Sequence, residues 1–447
     1  MGDASRAFRR MRDFAASMAQ GPPPRIASYQ ADPDQVGRVL LLYSGGLDTS
    51  VMLRWIRERY GAEIVTLTVN LGQPTEDWDV VVGKARDLGA VNAILIDARE
   101  EFASDYVLPA IKSNAVYGGG YPLFTALGRP LIAKLAVEHA RRAGCDTVAH
   151  GCTGKGNDQV RIEATVATLD PELKVIAPVR EWRMGREEEV AYAREHGIPV
   201  SGGTEAPPYS IDDNLWGRSS EGGAIEDLEE PPRDDVFRLV TRPEDAPDEP
   251  QLVRVGFERG CPVSLDQERL GLVELLERAG ELGRAHGVGI VDHIEDRIVG
   301  LKVRDVYEVP AASIILTAHR ELEKLVSTIH QNDFKRMLED KWAYLCYAGL
   351  WHEPLRTDLD AYMDSANELV TGEVTVRLYK GSATAAARSS PYALYDRALA
   401  SFGQSGGEFS QDASPGFIEL FTLQSRMAHR IRARAAHSSQ QRNEEEQ

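Results

Sequence analysis

Cysteine is scarce in this chain: Cys145, Cys152, Cys261 and Cys346 are the only four in 447 residues, with no C-x-x-C pair and no zinc-ligand spacing. That excludes a disulfide framework and a thiolate metal centre, and it predicts reduced thiols in a cytoplasmic protein. No apolar run reaches the roughly 18 residues that span a bilayer, so the expectation is a soluble chain with no membrane partner. A basic stripe is missing too. With 69 acidic and 51 basic residues the formal charge is −18, which argues against nucleic acid as a partner, because neutralising phosphates takes clustered cations. What the chain does have is size: 43% hydrophobic residues over this length suffice for a large core in two or three domains.

The most informative stretch is Ser44-Gly45-Gly46-Leu47-Asp48-Thr49-Ser50. It follows the apolar run Val39-Leu40-Leu41-Leu42-Tyr43 and opens a helical pattern, Val51, Met52, Trp55, Ile56. A strand ending in a glycine turn that feeds a helix N-terminus leaves backbone N–H groups unpaired and favours an anion. The glycines permit close approach of a phosphate, and the hydroxyls of Ser44, Thr49 and Ser50 are expected to add donors. The turn lacks the lysine of the kinase-type P-loop and the spacing of the dinucleotide fingerprint. It resembles instead the S-G-G-x-D-[ST] loop of the ATP pyrophosphatases, which implies ATP cleavage to AMP and pyrophosphate. The bland alternative is a capped strand-to-helix turn.

From residue 39 to about 200, strands and helices alternate: strands at 63–69, 93–97, 146–149 and 174–177, helices at 79–88 and 131–143. Alternation predicts an α/β fold with a buried parallel sheet and ligands beyond the strand C-terminal ends. Residues 1–36 carry Arg6, Arg9, Arg10 and Arg12 before Pro22-Pro23-Pro24. With Asp3 and Asp13 present they read as an extension outside the core rather than a transit helix. Residues 221–250 hold eleven acidic and three basic residues with seven glycines and prolines, the composition of an exposed linker. Strands at 252–257 and 373–379 and helices at 267–281 and 318–350 predict a second, α+β domain. Residues 417–437 read as a terminal helix with Arg426, Arg430, Arg432 and Arg434. The expected division is 1–36, 37–205, 206–416 and 417–447.

A second polar turn, His150-Gly151-Cys152-Thr153-Gly154-Lys155-Gly156-Asn157-Asp158-Gln159-Val160-Arg161, follows another strand. Six further motifs accompany the two turns: Asn70-Leu71-Gly72-Gln73, Tyr121-Pro122-Leu123 with Arg129-Pro130, Ala177-Pro178-Val179-Arg180-Glu181-Trp182, Tyr209-Ser210-Ile211-Asp212 with Ser219, Tyr307-Glu308, and Ser390-Pro391-Tyr392. In this order, from residue 39 to 422, they resemble the argininosuccinate synthase family.

The resemblance implies an adenine-nucleotide-binding parallel-sheet domain, a synthetase domain and a C-terminal helix that joins a homotetramer. It implies ligation of citrulline to aspartate with ATP and Mg²⁺, through a citrullyl-adenylate. It assigns Leu42, Tyr43, Ser44, Gly45, Gly46, Leu47, Asp48, Thr49, Ser50, Val69 and Gly151 to ATP. Thr153, Asn157 and Asp158 are assigned to aspartate, and Tyr121, Asn157, Arg161, Ser210, Ser219, Glu295 and Tyr307 to citrulline. No protein ligand of the metal is identified. Arg161 suits a carboxylate and Glu295 an ammonium, and Asp158 is expected to take the proton of the attacking amine. Without the resemblance the tyrosines would read as packing rings and Glu295 as a solvated charge. Ala126 and Phe124 depart from the family pattern and raise an alternative, a paralogue that ligates aspartate to another ureido or amide compound. A tRNA-thiolating enzyme, which also uses such a loop, would need a reactive cysteine pair or metal site and a basic face.

Overall fold

The computed structural model describes residues 33–74, 77–182, 184–199, 209–400 and 411–445. The expected N-terminal extension lies outside them up to residue 32. In β1 (Arg38–Leu42), Val39 and Leu41 pack in one cluster with Met52, Leu53 and Ile56 of α1 (Leu47–Tyr60), while Leu40 belongs to the cluster on the other face. Successive strand residues point to opposite faces, so an unbroken apolar run means both faces are covered. The chain continues through β2 (Glu63–Asn70), α2 (Trp78–Asp87), β3 (Asn92–Asp97), α3 (Phe124–Ala143), β4 (Thr147–Ala149), α4 (Asp158–Leu169), β5 (Lys174–Ile176) and α5 (Arg186–Glu195).

The five strands form a parallel sheet in the order β3-β2-β1-β4-β5. Strand order reverses between β1 and β4, which pair directly through Leu41 and Ala149. A ligand crevice opens at such a reversal, outside the carboxyl ends of the strands. The turn at 44–46 leaves β1 and the turn at 150–157 leaves β4, so both glycine-bearing corners meet at this one place.

The second half supplies two antiparallel sheets. Its elements are β6 (Ser210–Asn214), β7 (Gly217–Glu221), β8 (Gln251–Glu258), β9 (Cys261–Leu265), β10 (Glu268–Arg269), α6 (Leu272–Ala285), β11 (Ile290–Asp296), β12 (Lys302–Glu308), α7 (Pro310–Val326), α8 (Ile329–Tyr347), α9 (Pro354–Ala366), β13 (Gly372–Tyr379) and β14 (Ser382–Ser389). One sheet runs β10-β9-β8-β13-β14, the other β11-β12-β7-β6. The described residues up to Tyr392 form one compact unit. Residues from Ala393 form another, with α10 (Ala413–Phe421) and α11 (Leu423–Glu445).

Four local expectations need correction. The helix at 131–143 starts earlier, at Phe124, because Phe124, Ala126 and Leu127 are fully buried and packing extends it past Pro130, which lies inside the helix instead of at its first turn. The stretch at 267–281 begins with a turn at Asp266 and Gln267, both with positive φ, and only then becomes α6. The long pattern at 318–350 is two helices. Thr328 caps the second, its hydroxyl accepting from Gln331 N while the Gln331 side chain accepts from Thr328 N, a capping box readable as T-x-x-Q. The acidic stretch at 221–250 lacks long elements but is no free linker: Ile225, Val236, Val240 and Ala246 are buried, and the carboxylate of Glu308 accepts from the backbone N–H groups of Arg238, Leu239 and Val240.

Candidate active site

The first corner is rigid from within. Gly45 has φ +81, and a side chain there would bring Cβ to 3.0 Å from Val81 Cγ1. Gly46 N-caps α1 in an extended conformation and its carbonyl accepts from Ser50 N and Ser50 Oγ, at 3.2 and 2.7 Å. Ser50 is fully buried, its hydroxyl also near Tyr43 Oη at 3.1 Å. It therefore braces the turn and is not the phosphate donor expected; Ser44 and Thr49, 3.2 Å apart, stay at the surface of the corner. Lys84, which the sequence did not single out, donates to Gly45 O at 2.9 Å. A cavity of about 900 Å³ opens here, lined by Leu42, Tyr43, Ser44, Gly46, Leu47, Asp48, Thr49, Val69 and Gly151. Gly45 and Ser50 stand behind its wall.

The second corner is held by residues of the 177–182 motif. Arg180 donates to Gln159 Oε1 and Glu163 Oε1, both at 2.6 Å, and His150 bridges the same Glu163 to Cys152 N. Burial pushes the Cys152 thiol up, so it stays protonated and inert. The other junction is the turn at Gly72, φ +91, where Leu215 N donates to Leu71 O and ties the parallel sheet to the β6–β7 hairpin.

Between these corners lies a smaller cavity of about 240 Å³. Tyr121, Thr153, Asn157, Asp158, Arg161, Ser210, Ser219, Glu295 and Tyr307, drawn from both halves of the chain, all line it. Asp48, Thr125, Arg129, Gly151, Ser210 and Asp212 line both cavities, so the two are neighbours across a shared wall. A further cavity of about 930 Å³ lies elsewhere and is lined by none of the expected residues.

The small cavity is strongly charged. Asp158 lies between Arg129, at 2.8 Å, and Arg161, at 2.8 Å, and Arg129 also reaches Asp212 at 2.6 Å. Burial acts to raise the Asp158 pKa, but the two guanidinium groups outweigh it and hold the carboxyl down at about 2. So strongly stabilised a carboxylate is a poor base, which speaks against its expected role as proton acceptor. Arg161 Nε donates to Tyr347 O at 3.0 Å, while its Nη2 is buried with no hydrogen-bond partner among the described residues. An orphaned guanidinium donor is what an incoming carboxylate satisfies.

Glu295 is 4% exposed and gripped by two phenols: Tyr307 Oη donates to Oε2 and Tyr347 Oη to Oε1 at 2.5 Å. Burial and the Glu295 charge push both phenols far up, so they stay donors. Tyr121 stacks on Tyr307 with centroids 4.7 Å apart, and its Oη accepts from Thr125 N and Ala126 N at the start of α3. Phe124 sits edge-on behind both rings, fully buried and off the cavity wall.

Two family models match the chain, the Arginosuccinate synthase N-terminal HUP domain over residues 38–199 and the Arginosuccinate synthase C-terminal domain over 209–428. The argininosuccinate synthase of Rubrobacter xylanophilus is 55% identical over 391 residues, 87% of this chain and 94% of that one. The Pyrococcus furiosus protein of the same name is 49% identical over 394 residues, 88% and 95% of the two chains. The chain belongs to the argininosuccinate synthase family. A solved 4-thiouridine synthetase–RNA complex is also similar over 36% of this chain and 41% of that one, at 21% identity with a TM-score of 0.28, too slight a likeness to carry any conclusion.

Several residues on or just behind the wall of the small cavity had no signal in the sequence. Glu221 was assigned to the acidic linker, yet it ends β7 and lines the small cavity, paired with Arg297. Asp305 lines it as well. Tyr347 reaches Asn157 across 190 residues of chain. Arg129 and Asp212 stood inside recognisable motifs and were legible only as members of them.

Proposed function

We propose that this protein joins citrulline to aspartate with ATP, forming argininosuccinate, AMP and pyrophosphate. The observation that carries the reading is the common wall: an amino-acid-sized cavity and a nucleotide-sized one share Asp48, Arg129 and Gly151. ATP sits in the larger cavity with its phosphates at the N-terminus of α1, where Gly46 lines the wall without a side chain and Gly45 behind it sets the turn. Mg²⁺ accompanies the phosphates and neutralises their charge. Its coordination is expected to come chiefly from phosphate oxygens and water, the usual habit of Mg²⁺ at a nucleotide.

Citrulline takes the small cavity, its carboxylate toward Arg161 and its ammonium toward Glu295, with Tyr121, Ser210, Ser219 and Tyr307 around it. The ureido oxygen attacks the α-phosphorus and pyrophosphate leaves; the aspartate amine then attacks the activated carbon, loses a proton, and AMP leaves. No enzyme nucleophile is needed, so rate comes from alignment and from donors aimed at developing charge. Arg129, on the shared wall, is the guanidinium suited to the phosphoryl charge. Asp158 anchors Arg129 and Arg161 and offers an anion to the aspartate ammonium.

The nucleotide part, 37–205, and the synthetase part, 206–416, meet at this site, and the C-terminal helices assemble a homotetramer. Phe417, Ile418, Leu420 and Phe421 on α10 are 57–76% exposed, an apolar face that asks for a cover. A cytoplasmic setting agrees with four free cysteines whose thiols are all pushed up. Two assays test the reading: citrulline-dependent exchange of pyrophosphate into ATP, and incorporation of labelled aspartate into argininosuccinate. Exchange without citrulline, or stronger exchange with another ureido compound, would favour the paralogue.

A further inference from the structure

Tyr347 is the last residue of α8, fully buried, and it does not line the cavity. Its hydroxyl nevertheless touches both amino-acid sites. Asn157 Nδ2, in the turn proposed for aspartate, donates to Tyr347 Oη at 2.7 Å, and Tyr347 Oη donates to Glu295 Oε1, on the citrulline side, at 2.5 Å. The ring is clamped between Tyr117, stacked at 3.5 Å and 8°, and Arg161, whose Cζ stands 5.0 Å from the ring centroid. Asn157 is held at its other end, where Oδ1 accepts from Ile298 N at 3.1 Å. Asn157 Nδ2 also stands 3.5 Å from Glu295 Oε1 directly, and Asp296 O lies 3.1 Å from the same hydroxyl, but the two short bonds through Tyr347 Oη are the tighter link between Asn157 and Glu295.

We propose that Tyr347 is the positioning residue that couples the citrulline and aspartate sites, so that filling one tightens the other. The idea rests on the ligase reading above. While Glu295 is unneutralised it draws the phenol proton strongly, which makes Oη a better acceptor and keeps the Asn157 amide turned inward, since linked hydrogen bonds reinforce one another. An ammonium arriving at Glu295 weakens that pull. The Asn157 amide is then released to donate to the carboxylate of aspartate. Coupling between two binding sites is reciprocal, so aspartate must favour citrulline by the same factor.

The test is calorimetric titration of the full chain with citrulline, with and without saturating aspartate, in the presence of a non-hydrolysable ATP analogue. The natural chain is expected to bind citrulline about fivefold or more tighter with aspartate, within the usual range of such couplings. Tyr347→Phe keeps the stacked ring and removes the hydroxyl, and its factor should fall to within twofold of unity. Tyr117→Phe removes a hydroxyl that, among the described residues, bonds Asp296 O at 3.0 Å, and should leave the factor unchanged. A natural chain with no coupling, or a Tyr347→Phe chain with the full factor, overturns the proposal. Should Tyr347→Phe fail to fold, hydrogen exchange on the natural chain decides: citrulline alone must alter exchange in the 153–158 turn, and no change overturns the coupling. A natural chain that binds neither amino acid overturns the ligase reading itself, an outcome distinct from binding without coupling.

Discussion

Replacing Asp305 by asparagine is expected to stabilise the protein in mild alkali. Asp305 on β12 is 5% exposed and lies opposite Glu221 in the β12–β7 register, with Glu295 of β11 also facing it. Like charges directly across an antiparallel pair repel. Arg297 approaches Asp305 only at 3.4 and 3.5 Å, because its closest contact goes to Glu221. Burial first, then Glu221 and Glu295, push the Asp305 carboxyl up to about 7, from an ordinary 3.8. A raised native pKa means the folded chain holds the proton better than the unfolded one. Its contribution is fully present below 3.8, declines above it, and is gone once pH has risen through about 7. Roughly three pH units at about 1.4 kcal/mol each set a ceiling of about 4 kcal/mol, and movement of Arg297 toward the new charge reduces the expectation to about 2 kcal/mol. Asparagine mimics the protonated form at every pH. Thermal melting of both chains from pH 5 to 8.5 should therefore show a gap of a few degrees in favour of Asp305→Asn that widens to about pH 7 and then levels. A gap independent of pH, or one favouring the natural chain at pH 8.5, refutes the reasoning.

Asp158→Asn should raise the KM for aspartate at least about tenfold while changing turnover at saturation less, since a carboxyl held near 2 anchors cations better than it accepts protons; a collapse of turnover with KM unchanged would restore it as a base. Because its native pKa is depressed by Arg129 and Arg161, the stability that Asp158 contributes is present above 3.8 and lost as pH falls through the lowered native value, which acid melting of the same variant checks. Gly45→Ala forces a side chain into φ +81 against Val81 and should weaken binding of an ATP analogue about tenfold or more, with a fall in stability of about 1–3 kcal/mol; unchanged affinity would mean the corner does not hold phosphate. Phe421→Ser, at a side chain 74% exposed, should shift gel filtration from about four times the 49.3 kDa chain mass to smaller species, and an unchanged elution volume would remove α10 from the assembly.

The parallel sheet was legible because its strands are short, apolar and separated by helical spacing; β1, β2, β3, β4 and β5 all begin and end within a residue or so of expectation. Helix limits were less legible where packing outweighs local preference, as at Phe124, and where a cap interrupts a continuous apolar period, as at Thr328. Ser50 shows the same limit at the site. Its residue type promises a donor for phosphate, but which way a hydroxyl points is set by its neighbours, and here they are Gly46 O and Tyr43.

Local chemistry along the chain was enough to identify two glycine corners, the order of the motifs, the sheet that carries them and the family. Folding alone decided which distant charges share a cavity: that Asp158 lies between Arg129 and Arg161, that Glu221 leaves its acidic run to face Asp305, and that Tyr347 bonds Asn157 and Glu295. The reason is physical. Backbone pattern depends on neighbours three or four residues away, whereas proton affinity and hydrogen-bond pairing depend on what lies within a few ångströms in space, and in this protein, the Asp158–Arg161 pair apart, those partners lie tens to hundreds of residues apart.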